Sequence, residues 1–464
     1  MPLKILLVSS NLYTTPDPVF PLGLAYVADS LIQAGHSVFF VDLLYAAENW
    51  HQEASAFHPN LVGISVRNVD EVCMSSKGTL LGELPALVSL CRNICKGPIV
   101  LGGPAVSLFP GEILRMSGAD YAIKGEGEQA FRHICDTLQA GRSPSAPWLL
   151  SREELSDAVN QGSLLSPAPA GFCTYFDIDI RSKIAPHYLV SSRMLNIQTQ
   201  RGCPMKCCYC TYPVLEGRNA RYKPVETVIE EMRLIQKLGA NYFFIVDGVF
   251  NTSRNRVVEL CEAMIRANLK LRWGCFIKPS NIDPELAALM ARAGMCHAEC
   301  GSDSLSDTML TNYGKQFSFK DIWESSMNLM KADIRICHFI IFGGPGETRE
   351  TMAETFARSR EIPGGIFFSS TGLRVYPNTP LYDTLVKCTP KLANISMLEP
   401  YYYLSPSFTA DSIEAEISAH AHGRSEWILS SRNDNYQANM LKMRKKGKTG
   451  PLWDYMELMQ RLSK

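Results

Sequence analysis

Residues 201–210 read Arg201-Gly202-Cys203-Pro204-Met205-Lys206-Cys207-Cys208-Tyr209-Cys210, directly after a strand-like run at 195–199. Three of these cysteines, Cys203, Cys207 and Cys210, follow the spacing Cys-x3-Cys-x2-Cys within one compact loop. Three thiolates so spaced can hold three corners of a cubic iron–sulfur cluster. No fourth cysteine stands at regular spacing, so one iron is left open to a substrate or cofactor. That separates a catalytic cluster from a simple electron store. A structural zinc site is the competing reading. Zinc wants four ligands, and Cys208 is badly placed to be the fourth because its side chain is expected to point away from its neighbours.

Outward from this loop, short apolar strands alternate with amphipathic helices on both sides. Upstream, strands are expected at 4–8, 37–41, 61–66, 98–101 and 121–124, with helices at about 22–34, 83–94 and 110–116. Such alternation argues for a doubly wound, Rossmann-like α/β sheet that binds ligands at the carboxyl ends of its strands. Residues 141–190 are rich in Ser, Pro and Ala, lack steady periodicity and read as a linker. Alternation resumes over 191–385, with strands expected at 195–199, 242–246, 272–276, 296–299, 336–342 and 366–375. In barrels, chemistry sits at the carboxyl ends of such strands, and the cysteine loop follows the first of these. The expected division is 1–142, a linker 143–190, a second α/β domain 191–388 and a small helical region 389–464.

Composition excludes several classes. The 464 residues carry 46 basic and 46 acidic side chains, so no basic bias argues for nucleic acid. Fifteen cysteines in a chain of this length do not resemble a secreted disulfide scaffold and suit a reducing cytoplasm. The first apolar run is too short for a signal peptide, and no run approaches the roughly 18 apolar residues of a membrane span.

The cysteine loop, with Tyr209 before its third cysteine, resembles the signature of the radical S-adenosylmethionine (SAM) superfamily. The upstream segments Pro21-Leu22-Gly23-Leu24-Ala25, Gly35-His36, Ile64-Ser65-Val66-Arg67-Asn68, Leu101-Gly102-Gly103-Pro104 and Gly125-Glu126-Gly127-Glu128 resemble the cobalamin-binding domain of class B members. The resemblance implies a partial (β/α)6 barrel, a [4Fe-4S] cluster on Cys203, Cys207 and Cys210, SAM on the open iron, and cobalamin on the first domain. The Asp-x-His-x-x-Gly motif that gives cobalt a histidine is absent; His36 and His58 have the wrong neighbours. Base-off cobalamin is therefore implied, with Arg67 and then Asn68 as candidates beneath the metal. Alternatively, Arg67 pairs with Asp70 or a nucleotide phosphate.

For cobalamin the resemblance points to Ser65, Arg67, Asn68, Gly102, Gly103, Gly125, Glu126 and Gly127. For SAM it points to Tyr209, Asp247, Glu299, Asp303, Ser304 and Tyr376. Lys278 and Arg374 are further candidates for the SAM carboxylate, and Glu347 for capping the next helix. Asp303 stands where the family often has Glu. The implied reaction is methyl transfer from methylcobalamin to an unactivated carbon, after hydrogen abstraction by a 5′-deoxyadenosyl radical. The alternatives are a non-methylating cyclisation or rearrangement, and a non-catalytic cobalamin or redox sensor. Implied partners are an electron donor such as ferredoxin or flavodoxin, and a substrate that is a small molecule, a lipid or a protein side chain.

Overall fold

The computed structural model describes residues 2–15, 17–76, 78–155, 165–169, 171–172, 174–429 and 442–455. Its first sheet contains β1 (Lys4–Ser9), β2 (Ser37–Asp42), β3 (Leu61–Ser65), β4 (Ile99–Gly102), β5 (Tyr121–Ile123) and β6 (Leu149–Ser151), in the order β2-β1-β3-β4-β5-β6. The first five are parallel, and β6 returns antiparallel to β5. The continuous apolar run of β1 is explained by burial on both faces. Ile5 and Leu7 join a core with helices Leu22–Gln33 and Gly127–Gln139. Leu6 and Val8 join another with Leu84–Ile94 and Pro110–Ser117.

The segment expected to be a linker contributes to both domains. Leu149–Ser151 extends the first sheet, and Ile178–Ser191 forms a helix capped by the Asp177 side chain. That helix contains Pro186, which hides its periodicity, yet Ile180, Ile184, Ala185 and Tyr188 are buried in the core shared by the two sheets.

The second sheet comprises β7 (Leu195–Ile197), β10 (Tyr242–Ile245), β11 (Arg272–Ile277), β12 (Met295–Asp303), β13 (Arg335–Phe342), β14 (Ile366–Thr371) and β17 (Trp427–Leu429), all parallel and in that order across the sheet. Between these lie two small antiparallel ribbons. One pairs β8 (Gln200–Arg201) with β9 (Arg221–Tyr222); the other pairs β15 (Leu373–Arg374) with β16 (Tyr402–Tyr403). The six expected strands are present. The C-terminal region, read from sequence as helical, adds helix Ala410–Ala421 but also β16 and a seventh parallel strand, β17. The helix expected near 454–462 falls mostly outside the described residues. Among the described residues, no helix is long and apolar enough to cross a membrane.

Candidate active site between the two sheets

The cysteine loop is fixed by backbone bonds from several elements. Cys203 N donates to Gly217 O, Cys208 N to Tyr313 O, and Leu381 N to Cys208 O. Gly202 N donates to the Glu216 carboxylate at 3.0 Å. Gly202 has φ +87°, and a Cβ there would collide with the Asn219 carbonyl, so glycine is required at this entrance. None of Cys203, Cys207 and Cys210 is in a disulfide. Burial pushes all three thiols up, Cys210 to about 12, and the field of Cys207 contributes at both Cys203 and Cys210. Such thiols become ligands only where a metal replaces their protons. Cys208 packs instead against an apolar cluster that contains Tyr313 and Leu381 together with first-domain residues. The three thiols therefore fit a cluster that takes one cysteine at each of three corners.

The carboxyl end of β12 meets this loop. Register with β13 shifts between Cys300 and Asp303, and Asp303 takes φ +62°. A bulge of this kind re-aims a side chain. The Asp303 carboxylate receives the Tyr209 hydroxyl and the Lys315 ammonium. Lys315 also donates to Gly301 O at 3.0 Å. Burial opposes its charge, but Asp303 and Cys207 outweigh that and hold the ammonium above the usual lysine range. The family motifs that located Asp303 gave no signal for Lys315. Only the packing of the turn after helix Asp307–Asn312 brings it here.

Other expected SAM contacts have protein partners. Asp247, fully buried after β10, accepts from Thr199 N at 2.7 Å, from the Thr199 hydroxyl and from Gln200 N, so it braces the approach to the cysteine loop. Burial pushes its carboxyl up to about 7 against those bonds. The Ser304 hydroxyl meets Thr355 at 3.1 Å on the helix side of the sheet. Glu347 accepts from Gly343 N and the Thr351 hydroxyl, and the cap of helix Arg349–Arg358 expected of it is supplied instead by Thr348, whose side chain accepts from Thr351 N. Glu299 lies four residues before Asp303 and bonds Trp453 Nε1 at 2.9 Å, away from the cysteine loop. Tyr376 lies under the Arg374 guanidinium and near Phe109 of the first domain. Arg374 does not serve a SAM carboxylate. It forms a buried ion pair with Asp70 at 2.8 Å and donates to the Val375 and Met397 carbonyls. The same pair removes Asp70 as a partner for Arg67.

A cavity of about 620 Å³ opens between the sheets. Its first-domain wall contains Ser65, Arg67, Asn68, Gly102, Gly103, Gly125, Glu126 and Gly127, so the expected cobalamin residues share one surface. The facing wall contains Gln198, Arg201, Tyr212, Leu215 and Glu216, on either side of the cysteine loop. A deeper apolar slot runs past Val27, Gly63, Val100, Ile123 and Phe131. Gly103 (φ +100°) lies so near the Val66 carbonyl that a Cβ would come within 2.6 Å of it, and a Cβ on Gly63 would meet Leu7 and Phe131. Gly23 and Gly102, where a Cβ would meet nothing within 4 Å, leave bare backbone beside the cavity, which fits the close approach of a large flat group. Among the described residues Arg67 has no ion pair or hydrogen bond; its side chain stands in the cavity facing Tyr212 and Tyr188, and burial holds its pKa below the usual arginine value. His36 bonds Leu3 N, and neither it nor His58 lines the cavity. Glu126 is tied to Arg201 at 2.7 Å and to Arg221, while Arg201 reaches Glu128 at 2.6 Å.

The B12 binding domain matches residues 11–135, and the radical SAM superfamily matches residues 197–358. Tryptophan 2-C-methyltransferase of Streptomyces laurentii is 24% identical over 439 residues, covering 80% of this chain and 72% of that one. An uncharacterized methyltransferase of Pyrococcus horikoshii is 26% identical over 375 residues, 78% of each chain. A radical SAM methyltransferase from Kitasatospora setae, solved with cobalamin and a [4Fe-4S] cluster, superposes with TM-score 0.85 at 21% identity, over 99% of this chain and 98% of that one. The chain thus carries a B12-binding domain followed by a radical SAM domain.

Proposed function

We propose that this enzyme is a cobalamin-dependent radical SAM methyltransferase acting on an unactivated carbon of a small molecule. The observation that carries the proposal is the shared cavity. The glycine-lined strand ends of the B12-binding domain face the residues that flank the cysteine loop, so groups held by the two domains meet across one space. When bound, the cluster and SAM supply one-electron chemistry and cobalamin supplies a transferable methyl group.

The chain's own residues position and enclose. Cys203, Cys207 and Cys210 hold the cluster. Lys315 sets a positive charge beside Cys207, suited to a carboxylate such as that of SAM, while Asp303 holds Lys315 and Tyr209 in place. Gly102, Gly103, Gly125 and Gly127 would admit the corrin, and Arg67 would stand beside it in the cavity. The fixed walls exclude water and hold reacting groups at short range, the protein's main contribution to such chemistry. Methyltransferases and ring-forming cyclases both occur among the relatives that match most of the chain, and the larger share of methyltransferases supports methyl transfer.

The test is anaerobic incubation of reconstituted protein with methylcobalamin, a reductant and methyl-labelled SAM, together with candidate acceptors. Retained cobalamin and label in a carbon-methylated product are expected. Product without label returns the cyclisation or rearrangement reading, and protein that retains no cobalamin overturns the assignment.

A further inference from the structure

The inner face of the second sheet carries chemistry that the cysteine loop and the cavity leave unused. Strand register fixes its members. Phe276 lies beside Glu299, Glu299 beside Cys337, and Phe339 beside Phe368. Residues two apart on a strand share a face, so Phe244, Phe276, Glu299, Phe339 and Phe368 line one surface. Phe244 and Phe276 meet with ring centroids 5.0 Å apart, and Phe339 and Phe368 at 5.6 Å. The opposite face, with Ile245, Cys275, Ala298 and Phe367, is packed in the core under the helices. Phe276, Phe339 and Phe368 are only half-buried. Trp453 packs on Cys337, Ile366 and Ile428 and donates its indole N–H to one Glu299 oxygen.

Glu299 is 9% exposed, and among the described residues its other oxygen has no donor. Burial pushes its carboxyl up to about 7. Anchoring Trp453 does not explain a carboxylate here, because a neutral acceptor satisfies an indole N–H at lower desolvation cost. No cation of the described chain serves it. The neighbouring Arg444 is engaged by both oxygens of Asp17, at 2.9 and 2.8 Å.

Resting on the methyl-transfer reading, we propose that Glu299 binds a positively charged nitrogen of the substrate, with the phenylalanine walls holding that molecule's apolar or aromatic body. A cation over aromatic faces beside a single carboxylate is stabilised by both. The substrate class is an amine with an apolar or aromatic body, as opposed to a neutral lipid or an acidic molecule.

The test is calorimetric titration of the reconstituted full-length protein at pH 8 with 2-phenylethylamine and with its uncharged counterpart 2-phenylethanol. The amine is expected to bind more tightly by about tenfold or more, the range of a charge-assisted hydrogen bond. Glu299→Gln is expected to abolish that preference while leaving 2-phenylethanol unchanged, which shows the phenylalanine surface intact. Glu299→Asp retains part of the preference, and Phe339→Ala weakens both probes while keeping it. Equal binding of the two probes, absence of amine binding, or a preference that survives in Glu299→Gln overturns the proposal. Neither cobalamin nor methyl transfer enters this readout, so it fails separately from the reading it rests on.

Discussion

The three thiols and their neighbour Cys208 are chemically alike but stand in different surroundings. Cys203, Cys207 and Cys210 are held in one loop beside the Lys315 ammonium, and Cys208 packs against an apolar cluster that spans both domains. Single alanine substitutions at the first three positions are therefore expected to lose most of the iron, about four atoms per chain in a full cluster. Cys208→Ala keeps it, and iron analysis after anaerobic reconstitution checks the contrast. A second single-residue prediction concerns Glu347. Burial raises its carboxyl from 4.5 to about 7 in the folded chain. The folded state then holds this proton more tightly than the unfolded state. Its contribution to stability is present below about pH 4.5 and is lost as pH rises through 7. Glu347→Gln is expected to gain on the order of 1–3 kcal/mol over the parent at pH 8 and less than about 1 kcal/mol at pH 5, because a tenfold change in proton affinity is worth about 1.4 kcal/mol. Urea unfolding of both proteins at the two pH values decides it; an equal difference at both would remove the carboxyl as the cause.

At the scale of the element, the ligand-binding edge of the first sheet depends on glycine conformation. Gly103 begins helix Pro104–Leu108 with φ 100° and ψ 174°, a region that only glycine enters readily. Gly103→Ala is expected to cost about 1–3 kcal/mol from that strain, with a further penalty from contact with the Val66 carbonyl. It should also weaken retention of added cobalamin, read by absorbance after gel filtration; unchanged retention would mean that this edge does not hold the corrin. This edge was legible in the sequence because turn glycines and strand periodicity are local signals. The cysteine loop was legible for the same reason. Lys315 was not, because it reaches Asp303 through the packing of a short helix and its turn. Nor was the Asp70–Arg374 pair, whose members are 304 residues apart. Helix Ile178–Ser191 escaped notice because Pro186 breaks its pattern, and β6 and β17 because three-residue strands carry almost no periodicity. Glu299 was read as a cofactor contact because it shares a strand with Asp303; four residues of rise, about 13 Å, separate what each can touch.

Across the whole molecule, the two sheets are joined by charges removed from water. Arg201 of the cysteine-loop ribbon pairs with Glu126 and Glu128, Arg374 with Asp70, Arg181 with Asp29, and Arg444 with Asp17. Each side chain in these pairs is at most 11% exposed. Domains in one chain ordinarily move relative to one another unless their interface is large and apolar. Here one apolar core runs from the first sheet through helix Ile178–Ser191 to the second, and opening the interface would also expose several paired charges at once. Enclosure of a reactive cavity is thus built into the ground state of the fold. The protein is accordingly expected to unfold in one cooperative calorimetric transition, and buried pairing should make that transition weakly dependent on salt. Arg201→Ala leaves Glu128 without its cation while Glu126 keeps Arg221, and stranding one partner of a buried pair costs about 3–5 kcal/mol. Because that loss falls on the interface and not on either sheet, the variant should melt in two resolved steps, the B12-binding domain separating from the barrel. A single, merely lowered transition in Arg201→Ala would instead mean that the shared apolar core alone couples the domains.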